Sequence, residues 1–336
     1  MSALLPLIVL VGALLAASPP AGASEDGKAE ANNMRLLGHE PLQGRSAYQP
    51  VIHKQGDRWL AYVGHHGGER MNALTGRTEL NGTSIVDVTD PARPQYLHHI
   101  PGAPGAAEGG GASMVRLCDG RELPKGDPAK TYLLRTLGRL AHEIWDVTDP
   151  RRPALLTTVL RGLGETHKNW WECATGIAYL VSDGRPQGWR SNRMTKIYDL
   201  SDPANPRFIR DFGLAGQEPG SDPTKTAPAG VHGPIALRNR VYFAYGTGAD
   251  GVLQIVDRDR LLNGNAASAD RFAPTPESLR FPEIGRLDMP PDWGGHTSFP
   301  VLGVPIGDHM LNVNGRVRDV VVLVSESLRN ECQEFR

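Results

Sequence analysis

One pattern recurs along this chain and decides what it can fold into. Residues 83–94 read TSIVDVTDPARP, 142–153 read HEIWDVTDPRRP and 195–206 read TKIYDLSDPANP, while a degraded copy, VLQIVDRDRLLNG, occupies 252–264. The aspartates that close the apolar stretches, Asp87, Asp146, Asp199 and Asp257, are spaced by 59, 53 and 58 residues. The β-branched and aromatic residues ahead of each Asp favour a buried strand. The Asp then caps a turn, and the Pro presets φ while withdrawing a ladder donor, so the strand stops. These aspartates are read as structural. Each unit also carries an earlier pair of apolar runs: 49–52 with 59–63, 167–173 with 177–181, and 231–237 with 241–245. A short run after the second Pro, such as Tyr96-Leu97 or Phe208-Ile209, supplies an outer strand. Four antiparallel strands per repeat of about 55 residues make a β-propeller blade.

The expected fold is therefore all-β, a propeller of four-stranded antiparallel blades over residues 34–336. Four blades are complete. A fifth opens at 294–300, continues with a second strand at 320–324, and has no third strand before Arg336. That count suggests a truncated propeller of six or seven blades. Either residues 34–48 complete the ring or the chain is a fragment; Arg35-Leu36-Leu37-Gly38 could supply one outer strand but not easily two. The 39 Gly and 27 Pro suit many tight turns. With 40% hydrophobic residues and a net charge of −1, the chain is not disordered, and it has no cationic excess to neutralise nucleic-acid phosphates.

Residues 3–17 form an uncharged apolar run, followed by Ala21-Gly22-Ala23 and then Ser24-Glu25-Asp26. This is the layout of a signal peptide over 1–23, although no Lys or Arg precedes the run. A flexible segment over 24–33 would follow. The run is short for a membrane anchor, and no later segment is apolar enough to span a bilayer. A periplasmic or secreted protein is expected. Three cysteines then leave alternatives open. Cys118 with Cys173 is the candidate disulfide. Cys332 could pair beyond residue 336, and a free thiol could serve as a metal ligand.

The histidines carry the functional signal. His167, His232 and His296 each stand at the start of an innermost strand, and His65 and His66 follow a second strand. In a propeller these positions share one face near the axis. Imidazoles converging from four blades suit Zn, Cu or Fe(II). Glu172 or Cys173 could add to such a set. Tyr48, Gln49, Trp170 and Glu172 complete the candidate ligand contacts. Ser113 stands where the second unit would carry its histidine, and His98, His99 and His142 fall away from the axis. The stretch Gly109-Gly110-Gly111 reads as a loop and lacks the strand-to-helix setting of a phosphate cradle. No GxSxG or HExxH motif is present.

The three Asp-Pro repeats resemble the LVIVD repeat of exported bacterial propellers. So do Gly44-Arg45-Ser46-Ala47-Tyr48-Gln49-Pro50, Trp170-Trp171-Glu172-Cys173 and Glu331-Cys332-Gln333-Glu334, and the resemblance runs over residues 34–336. It implies that the chain is a fragment, because such proteins continue through a further blade containing a Cys and an Arg-Gly-Gly-Arg-Phe-Gly-x-His stretch. That Cys would be the partner of Cys332. It implies no defined reaction. A more distant similarity, to selenium-binding-protein and methanethiol-oxidase propellers, implies a metal held by histidines around the central channel. Two functions follow: a propeller binding a metal ion or small ligand at the histidine-rich face, with metal-dependent oxidoreductase activity, or a non-catalytic propeller binding a protein or glycan on that face.

Overall fold

In the computed structural model, residues 33–306 and 316–326 are described. The proposed signal peptide, nearly all of the 24–33 segment, and Cys332 lie outside them. The chain is a β-propeller. The first blade contains β1 (Tyr48–Gln55) and β2 (Arg58–Gly67). A side hairpin of β3 (Glu69–Asn72) and β4 (Arg77–Leu80) precedes β5 (Thr83–Asp87) and β6 (Gln95–Ile100). The blade runs β1-β2-β5-β6, and β7 (Ala107–Ala112) pairs with the far end of β2. Blade two is β8 (Val115–Asp119), β9 (Thr131–Leu137), β10 (Ala141–Asp146) and β11 (Ala154–Arg161). Blade three is β12 (Thr166–Trp171), β13 (Ile177–Ser182), β14 (Met194–Asp199) and β15 (Arg207–Phe212). Blade four is β16 (Val231–Leu237), β17 (Arg240–Tyr245), β18 (Val252–Asp257) and β19 (Glu283–Asp288), with helices α1 (Arg258–Asn263) and α2 (Pro276–Arg280) ahead of β19. A fifth sheet of β20 (Thr297–Pro305) and β21 (Val317–Val324) follows. The innermost strands stand side by side in the order β1, β8, β12, β16, β20.

The repeated motif works through two successive Asp turns. Asp87, Asp146 and Asp199 each accept a hydrogen bond from the backbone N–H two residues on, at Thr89, Thr148 and Ser201 (2.9–3.1 Å). Asp90, Asp149 and Asp202 do the same to Ala92, Arg151 and Ala204 at 3.0 Å. In the degraded copy the Asp-Pro pair is missing, and the chain continues as α1, capped by Asp257 accepting from the Arg260 N–H at 2.9 Å. The aspartates are thus engaged in turns.

Blade faces bury the apolar residues against one another. Leu60, Tyr62, Ile85, Val115 and Leu133 fill the interface of blades one and two. Leu134, Ile144, Leu180 and Tyr198 fill the next, and Tyr179, Ile197, Phe212, Val241 and Phe243 the one after. Cys118 and Cys173 are joined by a disulfide that ties the end of β8 to the β12–β13 turn. Disulfides persist in oxidising compartments. No helix among the described residues is long and apolar enough to cross a membrane.

Two expectations need correction. Residues 35–38 form no strand; Gly38 instead packs on the carbonyl of Pro91 and on Ala92, at the first Asp-Pro turn. The stretch Gly109-Gly110-Gly111 is not a loop but part of β7. Its glycines are required there because the backbones meet: a Cβ on Gly111 (φ +72°) would run into the His65 carbonyl. His99 and His142, away from the axis as expected, are buried structural groups, at 2% and 0% exposure.

His142 sets a pH limit on the fold. Its Nε2 meets the Val181 carbonyl and Ser182 Oγ of the next blade, both at 3.2 Å. Burial depresses its pKa to about 4, against 6.5 for an exposed imidazole. Between those values the unfolded chain holds a proton that the folded chain refuses, so stability falls as pH drops from about 6.5 to 4 and then levels off. The contribution is about 3 kcal/mol at 1.36 kcal/mol per pH unit. Urea midpoints measured from pH 7.5 to 4 should fall less steeply in a His142→Gln variant, and parallel profiles would remove this residue from the explanation.

Candidate metal centre at the propeller hub

Three of the innermost strands share a local device. In β12 the pairing with β13 slips between Thr166 and Asn169, in β16 it slips between Val231 and Gly233, and in β1 between Tyr48 and Val51. Each slip leaves His167-Lys168, His232 or Gln49-Pro50 outside the ladder. Such bulges re-aim a side chain that a regular strand would hold across the sheet face. His296 occupies the equivalent place, one residue ahead of β20.

Three imidazoles from three consecutive sheets converge as a result. His167 Nε2 and His232 Nε2 lie 2.7 Å apart. The His232 and His296 rings lie 3.7 Å apart between centroids, with planes inclined by 33°. His296 Nε2 is 3.5 Å from Glu326 Oε2, just beyond β21. Ligand atoms of His232, His296 and Glu326 all lie within 4.8 Å of one another. Glu108, from β7, brings Oε2 to 3.8 Å from His167 Nδ1 and 3.4 Å from Arg193 Nη2. Arg193 also meets Glu165 at 3.2 Å, and Arg139 meets the other oxygen of Glu165 at 3.2 Å.

Burial is the main force on these rings. It depresses the pKa of His167 far below the imidazole range, assisted by the Arg193 and Lys168 cations and by neighbouring rings. His232 is depressed in the same direction by burial and then by His167 and Lys168, and His296 by burial and then by Lys168. All three are neutral at pH 7, so the approach of Glu108 to His167 is not an ion pair. Neutral imidazole is the form that ligates metals. Burial also raises Tyr48 to about 12, with Glu108 and Glu326 adding to the rise, which places its phenol in the field of the same carboxylates.

These residues fit a metal ion. Donors bound at 2.0–2.2 Å lie up to about 4.4 Å apart, close to the span seen here. His232 Nδ1 is buried without a hydrogen-bond partner among the described residues, and so is Nε2 of His66, whose ring lies 4.7 Å from that of Tyr48. A proton on His296 Nδ1 can be donated to Thr297 Oγ1, 3.0 Å away, which leaves Nε2 free to ligate. The set of imidazole and carboxylate without thiolate suits Zn, Cu or Fe(II).

Other predicted residues lie elsewhere. His65 is corrected: successive strand residues face opposite ways, and its ring points into blade one. There Nδ1 contacts the Ser46 carbonyl and Nε2 lies 2.6 Å from Ser84 Oγ, so both nitrogens are engaged. Glu172 is also corrected. It sits in the β12–β13 turn, at the far end of β12 from His167, and is held by Arg258 at 2.8 Å. Cys173 is in the disulfide and has no thiolate to offer. Gln49 and Trp170 line a 260 Å³ cavity beside His296, together with Arg116, Lys168, Thr297 and Phe299. Glu108, Glu326, Arg193 and Lys168 were not anticipated.

No described protein family matches the chain, and no curated protein matches it. Solved structures similar to it include an exo-β-1,3-galactanase from Phanerochaete chrysosporium (10% identity, TM-score 0.41, covering 76% of this chain and 54% of that one). Another is an exo-β-1,3-galactanase from Clostridium thermocellum (10%, TM-score 0.38, 83% and 59%). A third is a periplasmic gluconolactonase from Pseudomonas aeruginosa (10%, TM-score 0.40, 82% and 65%). The chain spans about half the length of the first of these, 54%.

Proposed function

We propose that this chain is an exported propeller of the LVIVD-repeat kind whose hub holds one transition-metal ion. His232, His296 and Glu326 are its ligands, with His167 beside them and His66 and Tyr48 at the rim. The observation that carries the reading is the meeting of neutral imidazoles from three consecutive sheets, residues 65 and 64 positions apart in sequence. A bound ion would supply Lewis acidity or, as Fe or Cu, a redox centre for a small molecule entering along the axis. The protein's own groups do the positioning. Thr297 fixes the His296 tautomer, Glu108 faces the free side of His167, and Arg193 holds Glu108 in place. Two imidazoles with one carboxylate leave open positions of the kind non-haem iron sites use, so oxidoreduction is the reaction class proposed.

Metal analysis of the full chain, as purified and after anaerobic loading with Fe(II), Zn(II) or Cu(II), tests this. About one ion per chain is expected. His232→Ala and His296→Ala should each weaken binding by at least about 100-fold, and Thr297→Val by about 10- to 100-fold, the range seen when an orienting partner is lost. Wild-type protein that takes up none of the three metals would overturn the proposal.

A further inference from the structure

Two cations line the cavity beside His296, and neither makes an ion pair among the described residues. Lys168 follows His167 in the β12 bulge and is 8% exposed. Among the described residues its Nζ donates only to Thr297 Oγ1, at 3.2 Å. Arg116, from β8, donates through Nη1 to the Val115 carbonyl at 3.0 Å, and its Nε is buried with no partner among the described residues. Its guanidinium stacks over the Trp170 ring, 5.2 Å from the centroid. Among the described residues no carboxylate lies within 4.0 Å of either cation. Elsewhere Arg135 has Glu143 at 3.0 Å and Lys196 has Asp211 at 3.1 Å. The buried Arg45 and Arg210 instead donate to neutral oxygens, including backbone carbonyls. Among the described residues the cavity's two cations meet such oxygens only at Thr297 and Val115. A buried and a half-buried like charge lining one cavity are costly unless an anion joins them. Trp170, Ile235, Pro234 and the half-exposed Phe299 give the lining an apolar wall, beside the polar Gln49, His296 and Thr297. At 260 Å³ the space lies just below the range of roughly 300–1,000 Å³ for ligand pockets.

We infer that this cavity binds a small organic carboxylate, its charged head taken by Lys168 and Arg116 and its apolar body laid against Trp170. The Lys168–Thr297–His296 chain of contacts, 3.2 and 3.0 Å, sets such a ligand next to the hub. The assignment deepens the hub reading by naming a substrate class. It takes from that reading only that this face is the functional one, because the carboxylate needs no metal to bind.

Calorimetric titration of the full chain in EDTA, with benzoate, benzamide and inorganic phosphate as probes, provides the test. Benzoate should bind at least 10-fold more tightly than its neutral isostere benzamide and than phosphate. Lys168→Gln and Arg116→Gln should each weaken benzoate at least 10-fold without changing benzamide. Trp170→Ala should bring benzoate down to the level of phosphate. Equal binding of benzoate and benzamide by the wild-type protein would overturn the inference with no variant needed, and phosphate binding as tightly as benzoate would overturn the organic body. His232→Ala should keep the benzoate preference, so a hub that takes no metal would leave these ratios standing.

Discussion

Replacing Glu143 with alanine is expected to cost the fold about 3–5 kcal/mol, the scale for removing one partner of a buried ion pair. Arg135 is 1% exposed and donates through Nε and Nη2 to Glu143 Oε2 at 3.1 and 3.0 Å. It also reaches across to blade one, donating to the carbonyls of Ile100 and Pro101 at 3.2 and 2.8 Å. Trp145 Nε1 donates to the same carboxylate oxygen at 2.9 Å, and its ring lies under the guanidinium. Without Glu143 the guanidinium stays buried and uncompensated, and the Trp145 N–H loses its acceptor. Urea denaturation gives the loss directly. Glu143→Gln, which keeps an acceptor, should lose less than Glu143→Ala, and Arg135→Met in the Glu143→Ala background should recover part of the loss by removing the stranded charge. Simple additivity of the two substitutions would show that the pair does not act as a unit.

Removing the Cys118–Cys173 disulfide is expected to cost about 4 kcal/mol on the chain-entropy account for a loop of 55 residues. The bond joins blade two to blade three, so its loss frees one wedge from the next in the unfolded chain. The Cys118→Ala/Cys173→Ala variant should have a lower urea midpoint than the wild type, and wild type treated with dithiothreitol should match it. A midpoint unchanged in both would mean that packing of Leu134, Leu180 and Tyr198 across this interface alone sets its stability.

The propeller was legible because its punctuation is local. An Asp that accepts from the N–H two residues on makes the same turn wherever it occurs, so three copies suffice to count blades. His167, His232 and His296 were legible for a related reason, as each stands at one place in the repeat. The pair His65-His66 misled because adjacency in sequence hides the alternation of a strand, which sends one ring into the blade. Glu108 was hidden inside a glycine-rich stretch that joins β2 only through close backbone approach, and no periodicity marks that pairing. Nothing in the sequence around Lys168 or Arg116 sets them apart from other strand cations. That neither makes an ion pair among the described residues is a property of the assembled hub and is not written in any one segment.

The bulges at the head of β1, β12 and β16 separate the wheel's frame from its equipment. A residue outside the ladder contributes nothing to strand register, so it can be exchanged without disturbing the blade that presents it. Blade two already differs from its neighbours, offering no histidine at the axis while Glu108 arrives from an added strand. Descendants of such a chain can acquire new centre chemistry one wedge at a time, with the Asp-Pro turns at the opposite end left untouched.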